Sequence, residues 1–183
     1  MCIRTQQQKT IRQGRVFDVT VENVTFPNGV HIEMEIIRHP GASAILPINE
    51  KEEVIMLKQY RHAAGGSLWE IPAGTFDGKE DPLACAQREL IEETGYEAKT
   101  WEPLGAVTPV PGYSDERIHL FLARDLIPAS QNLDPDEIIE VHPLPLQTVV
   151  SMAIEGEIED AKTITAVFRA LHKLKKFPAY SPL

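Results

Sequence analysis

Residues 74–96 read GTFDGKEDPLACAQRELIEETGY, and the placing of carboxylates in this stretch decides the fold. Asp81 followed by Pro82 is a helix start, with Asp as N-cap and Pro at the first helical position, where its missing N–H is not needed. The helix is expected to run to Thr94. Gly95 suits the left-handed position just past its end, and Tyr96 can pack back on Ile91. Glu89, Glu92 and Glu93 stand at i, i+3 and i+4, so all three leave one helical face, where like charges repel by a few tenths of a kcal/mol per pair. They also occupy the last turns, where the helix dipole favours cations. Arg88, four residues before Glu92, offsets only part of this. Local rules broken together mark a functional site.

Oxygen-only donors on a rigid element suit a hard cation, Mg²⁺ or Mn²⁺. There is no Cys/His cluster, which disfavours zinc. Taken alone, three glutamates on a helix would more simply be a solvated face. The surroundings extend the pattern to Gly, five residues, Glu, seven residues, Arg-Glu-aliphatic-x-Glu-Glu-x-Gly-apolar, supplied by Gly74, Glu80, Arg88, Glu89, Leu90, Glu92, Glu93, Gly95 and Tyr96. By chance such a match is on the order of one in a million per chain. This stretch resembles the signature box of the Nudix hydrolases, with Tyr96 in a usually aliphatic slot. The resemblance implies an α/β/α sandwich with a mixed sheet and metal-dependent cleavage of a nucleoside diphosphate linked to another group. It makes Glu89 and Glu93 the principal metal ligands, with Glu92 assisting in metal binding and catalysis and the Ala73 carbonyl as a further ligand. Glu80 and Arg88 are then structural partners.

Away from the box, Phe17, Val19 and Val21, and then Val30, Ile32, Met34 and Ile36, alternate with polar residues, the period of half-buried strands. Pro27-Asn28-Gly29 between them is a hairpin signal. Residues 1–41 are read as an N-terminal β arm that mediates dimerisation, and residues 42–183 as the catalytic domain. Further strands are expected at Ser43–Pro47, Val54–Tyr60, Leu104–Thr108, Ile118–Ala123 and Ile138–Pro143, with helices over about 147–155 and 161–176.

The flanks resemble the branch of that family that hydrolyses ADP-ribose and nucleoside diphosphate sugars: Gln59-Tyr60-Arg61, then Trp69 to Gly74, Pro111 fifteen residues beyond Tyr96, and Gly112 to Glu116. Asp160-Ala161-Lys162-Thr163 belongs to the same likeness. Arg61, Arg38, Phe17, Pro111 and Glu116 are candidate substrate contacts; Trp69 or Phe17 could stack a base. The acidic loop Asn132 to Glu137 is expected to supply the general base. Glu137 fits best and is also a candidate metal ligand; Asp134 and Asp136 are alternatives. Cys85 reads as packing and His62 as non-catalytic. The branch implies a homodimer with crossed arms, in which the region of Phe17 or Arg38 helps form the partner's pocket. Rivals are a Nudix hydrolase of dinucleoside polyphosphates and a non-catalytic sensor of ADP-ribose-like ligands.

Composition agrees with this outline. The 183 residues are 43% hydrophobic and 25% charged, an ordinary globular mix. A net charge of −9 argues against nucleic acid as the main partner. No apolar run approaches a membrane span, and the first ten residues lack the apolar core of a secretory signal. Only two cysteines, Cys2 and Cys85, make a disulfide framework unexpected and a cytoplasmic setting the expectation.

Overall fold

The computed structural model describes residues 4–177, so Cys2 lies outside the described residues. Three sheets form. Strands β1 (Arg4–Gln13), β2 (Asp18–Thr25) and β3 (His31–Arg38) make an antiparallel sheet in sequence order. Strands β5 (Glu53–Arg61), β6 (Gly66–Glu70) and β10 (Ile139–Pro145) make a second, ordered β10-β5-β6. Strands β4 (Ala42–Pro47), β7 (Ala73–Thr75), β8 (Tyr96–Val107) and β9 (Ile118–Pro128) make a third, ordered β7-β4-β9-β8. In that third sheet β4 pairs parallel with β9, and the other pairings are antiparallel, so the sheet is mixed.

Helices α1 (Pro82–Thr94), α2 (Leu146–Glu155) and α3 (Ala161–Lys173) complete the fold. Every residue of β4 is buried, as expected for a strand covered on both faces. Its alternation assigns the two faces. Ala42, Ala44 and Leu46 join Leu120, Leu122, Val167 and Ala170 in one core beneath α2 and α3. Ile45 points the other way, onto Ala86 and Leu90 of α1. Leu90 is fully buried, so truncating it to Ala would cost about 2–5 kcal/mol.

The arm is larger than its hydrophobic period suggests. It holds three strands, because the polar run Arg4–Gln13 pairs along β2 from Arg4↔Thr25 to Gln13↔Asp18. From Thr5 to Gln13 that strand is exposed on both faces, so burial imposes no alternation on it and the sequence carries no period to read. The β2–β3 turn closes at Pro27-Asn28-Gly29, with Gly29 donating to the Phe26 carbonyl at 2.9 Å. Two further short strands, β6 and β7, also escape a period-based reading, having only five and three residues. Conversely β8 is twelve residues long, far longer than the expected Leu104–Thr108. The arm joins the body through β3, where the Ile37 amide donates to the Tyr113 carbonyl at 2.8 Å and Arg38 pairs with Asp115 at 2.9 Å.

Candidate active site

Helix α1 is built as its ends require. The Asp81 carboxylate accepts from the Leu83 and Ala84 amides, and Gly95 adopts φ 70° and donates to the Ile91 carbonyl. The last turn contains no basic residue. Instead Arg88 gathers the acids: it donates to Glu80 at 2.9 and 3.1 Å, to Glu89 at 2.6 Å and to Glu92 at 2.9 Å. A further bond of 3.2 Å to the Thr75 carbonyl ties β7 to the helix. Glu93 lies deeper, 1% exposed, and accepts from the Ala73 amide at 2.8 Å. Its other carboxylate oxygen accepts from no protein group among the described residues.

Gly74 is required by this packing. A Cβ there would stand 1.8 Å from Oε1 of Glu89. Behind it Cys85 is fully buried, its thiol directed at the Gly74 carbonyl at 3.4 Å. Burial pushes that thiol up to about 12, so it is inert packing.

Burial governs the acids. It raises Glu89 to about 7, against the opposing pull of Arg88, with the charges of Glu92 and Glu137 adding to the rise. Burial also raises Glu93 well above the ordinary carboxylate range, and the charges of Glu89 and Glu137 contribute. Buried carboxylates that repel one another call for a cation. The donor set here is all oxygen, which fits a hard divalent ion and not zinc. Among the described residues no three acidic, Cys or His side chains are already gathered at ligating distance. The guanidinium of Arg88 is the cation that Glu89 and Glu92 share as they stand.

A cleft of about 490 Å³ opens over this face, lined by Ala73, Glu89, Glu92, Arg61, Asp134 and Glu137 among others. Glu137 is held by its own loop: its carboxylate accepts from the Asp134 amide at 2.9 Å, while its amide donates to the Asp134 carbonyl at 3.0 Å. Asp136 is turned outward to Arg15 of the arm, 2.7 Å away. A second lobe of about 390 Å³ shares Arg61, Ala73, Gly74 and Thr75 with the first and adds Glu116, Glu70 and Lys162. Strand β7 is thus the floor common to both lobes. A larger hollow of about 830 Å³, between β8 and α3, has an apolar floor and no carboxylate in its lining.

The remaining candidates lie elsewhere. Arg38 is engaged by Glu22 and Asp115 and lines neither lobe. Phe17 is 43% exposed and outside both lobes, whereas its neighbours Arg15 and Val16 line the first. Pro111 is exposed, and Pro109 is the proline that borders the second lobe. Trp69 packs against the core with Lys58 over its ring at 4.7 Å and the edge of His142 against it. Sequence reasoning overlooks Arg15 and, although Glu70 and Lys162 fall in stretches that carry the likeness, gives those two no role. The last two had a readable signal: a glutamate in the apolar run Leu68 to Ile71, and a lysine in the first turn of a helix.

Fold and acid cluster together define an α/β sandwich built around a cleft suited to a hard cation. The NUDIX domain model matches residues 37–167, and the chain belongs to that family. It is 39% identical over 166 residues to the ADP-ribose pyrophosphatase of Bacillus subtilis (strain 168), covering 90% of each chain. It is 41% identical over 167 residues to a protein of Bacillus methanolicus named methanol dehydrogenase activator, covering 90% of this chain and 89% of that one. A solved structure described as an ADP compounds hydrolase superposes with a TM-score of 0.83 over 96% of both chains at 23% identity, a likeness of fold. No helix among the described residues is long and apolar enough to cross a membrane.

Proposed function

We propose that this chain is a divalent-metal-dependent pyrophosphatase that hydrolyses ADP-ribose or a related nucleoside diphosphate sugar to a nucleoside monophosphate and a sugar phosphate. The observation that carries the reading is the burial of Glu89 and Glu93 against Gly74 and Ala73, with Glu137 lining the same cleft as Glu89. The likeness to an ADP-ribose pyrophosphatase over nine-tenths of both chains points to the substrate.

Glu89, Glu93 and the Ala73 carbonyl would hold the cation, with Glu92 and Glu137 assisting; Mg²⁺ suits this donor set, and Mn²⁺ can replace it. When bound, such an ion neutralises the diphosphate oxygens and lowers the pKa of a water. The Ala73 amide fixes one oxygen of Glu93 and so holds that carboxylate against β7. Arg61, at the junction of the lobes, binds and orients the diphosphate. Glu137 accepts the proton of the attacking water, and Glu92 assists from the helix. Glu116 in the second lobe contacts the sugar side, while Phe17, Arg38 and Pro111 remain candidate contacts once a second subunit is present.

The decisive assay pairs Mg²⁺ and a panel of nucleoside diphosphate sugars with a phosphatase that frees phosphate from the products. Signal with ADP-ribose, lost on chelation, is expected. Cleavage of dinucleoside polyphosphates alone would transfer the chain to another substrate class. Binding without turnover of any compound would make it a sensor.

The arm over residues 1–41 is proposed to build a homodimer on the catalytic domain of residues 42–183. Its Ile11 in β1 and Val16, Phe17 and Val30 in the turns are 42–52% exposed. No helix packs closely on the three-stranded sheet among the described residues, and such a sheet needs a covering surface. Deleting residues 1–38 should give monomer or aggregate and abolish activity. Light scattering that found a fully active monomer of 20.5 kDa at nanomolar concentration would reject the dimer. A cytoplasmic setting accords with the two cysteines.

A further inference from the structure

The second lobe of the cleft ends on a charged network of which the proposed reaction uses only Arg61. Arg61, at the end of β5, offers Nε and Nη2 to the two oxygens of Glu70, both at 2.8 Å. The same Glu70 accepts from the ammonium of Lys162 at 2.5 Å, and that ammonium lies 3.0 Å from Asp160. Glu70 is 2% exposed and Lys162 9%. Lys162 is also in the wrong place for helix stability. It is the second residue of α3, where the dipole disfavours a cation, and a buried ammonium is expensive unless fully paired.

Capping does not need it. The Asp160 carboxylate already accepts from the Thr163 amide at 3.0 Å and hydroxyl at 2.5 Å, and Thr163 in turn anchors the Ile71 amide at 2.9 Å. The helix start and its tie to the end of β6 are complete without the lysine.

We propose that Lys162 is a positioning residue for the diphosphate: by sharing the charge of Glu70 it leaves the guanidinium of Arg61 both fixed in direction and incompletely neutralised toward the cleft. A carboxylate facing one arginine alone would cancel the charge that a diphosphate must meet. With Lys162 present, two cations balance Glu70 and Asp160; without it both carboxylates would bear on Arg61 alone. The planar fork of Arg61 spends one edge on Glu70, and Nη1 donates to no protein group among the described residues. This edge is the one free to meet phosphate oxygens. The inference rests on the proposed diphosphate substrate.

The test measures KM and kcat for ADP-ribose at saturating Mg²⁺, together with calorimetric affinity for inorganic pyrophosphate and Mg²⁺. Lys162→Met should raise KM about tenfold or more with kcat changed less than about threefold, the mark of lost uniform binding, and should weaken pyrophosphate by a similar factor. Lys162→Arg should restore most of both. Thr163→Val, which cuts the neighbouring anchor and one hydrogen bond to Asp160 but removes no charge, should lower the melting temperature and leave KM alone. If Lys162→Met does not fold, Lys162→Gln, which keeps a donor to Glu70, is read the same way. Unchanged KM and pyrophosphate affinity, or an equal rise in KM from Thr163→Val, would overturn the proposal. If the wild type turns over no nucleoside diphosphate sugar, the functional reading fails, while the pyrophosphate comparison still decides the role of Lys162.

Discussion

Helices α1 and α3 each have thirteen residues and each begins at an aspartate N-cap, yet they handle charge in opposite ways. Helix α3 ends on His172 and Lys173, as its dipole asks, and departs from the rule only at Lys162. Helix α1 has no base in its last turn and carries its acids there. Each departure is buried beside β7: Glu89 lines the first lobe, Glu93 is held behind it by the Ala73 amide, and Lys162 lines the second lobe. Where a helix obeys its dipole it only packs; where it does not, it faces the site.

The contrast breaks most readily at Glu93. Glu93→Gln should lose at least about two to three orders of magnitude in kcat with Mg²⁺, because stabilisation of transition-state charge goes with the ligand. Retained turnover would detach the metal from α1. The sign of the stability effect is opposite. An acid raised by burial penalises the fold above its unfolded pKa, and the penalty grows with pH until the folded value is reached. In chelator, the melting temperature of the variant should therefore exceed that of the wild type, by more at pH 8 than at pH 5.

A next smaller effect is expected across the cleft. Glu137→Gln should lower kcat by about 10²–10⁴-fold with little change in KM, as loss of a general base does. Asp136→Asn, which releases only the exposed pair with Arg15, should be mild. If the two outcomes were exchanged, the base would move one residue upstream.

Gly74→Ala tests the geometry rather than the charge. A Cβ placed 1.8 Å from Glu89 Oε1 must displace that carboxylate. Metal affinity, read as the Mg²⁺ concentration for half-maximal activity, should weaken about 10–100-fold, the size typical of lost ligand support. An unaltered requirement would show that Glu89 moves freely.

The smallest effect belongs to the α3 side. Arg61 and Lys162 hold Glu70 down to about 2 despite its burial. A depressed acid stabilises the fold above its unfolded pKa, near 4.3 for a glutamate, and that contribution disappears as pH falls toward the folded value. The wild type should therefore lose stability between about pH 4.5 and pH 2 more steeply than Glu70→Gln does, measured by thermal melts across that range. Parallel acid limbs would mean the network contributes nothing to the fold.

Much of α1 is legible in its residues alone. Asp81-Pro82 and Gly95 set its ends by backbone chemistry, and the i, i+3, i+4 spacing of Glu89, Glu92 and Glu93 places them on one face. The strands β4, β5 and β9 announce themselves through burial, which imposes a period or a continuous apolar run. Strand β2 instead buries Thr20, Glu22 and Val24, the face opposite to Phe17, Val19 and Val21, and no residue of β3 is fully buried. Strand β1 does not announce itself, because an exposed ladder is held by backbone bonds that any side chain permits. Arg38 looks like a cleft residue in sequence because it ends a strand, but Glu22 on the neighbouring strand takes its guanidinium. Phe17 misses the first lobe while Arg15 and Val16 reach it, since the β1–β2 turn decides which side chains point there.

Caps, dipole and helical spacing act over a few residues, so the order of residues along the chain is enough to locate the helix that carries the acids, its limits, and the kind of ion those acids suit. Packing had to supply the rest: which acid is deepest, which arginine each carboxylate meets, and that Glu70 and Lys162, 92 residues apart, share one bond. Burial and pairing depend on what distant parts of the chain bring alongside. A buried charge is tolerable only where its partner arrives from another element, and that arrival is a property of the packed fold.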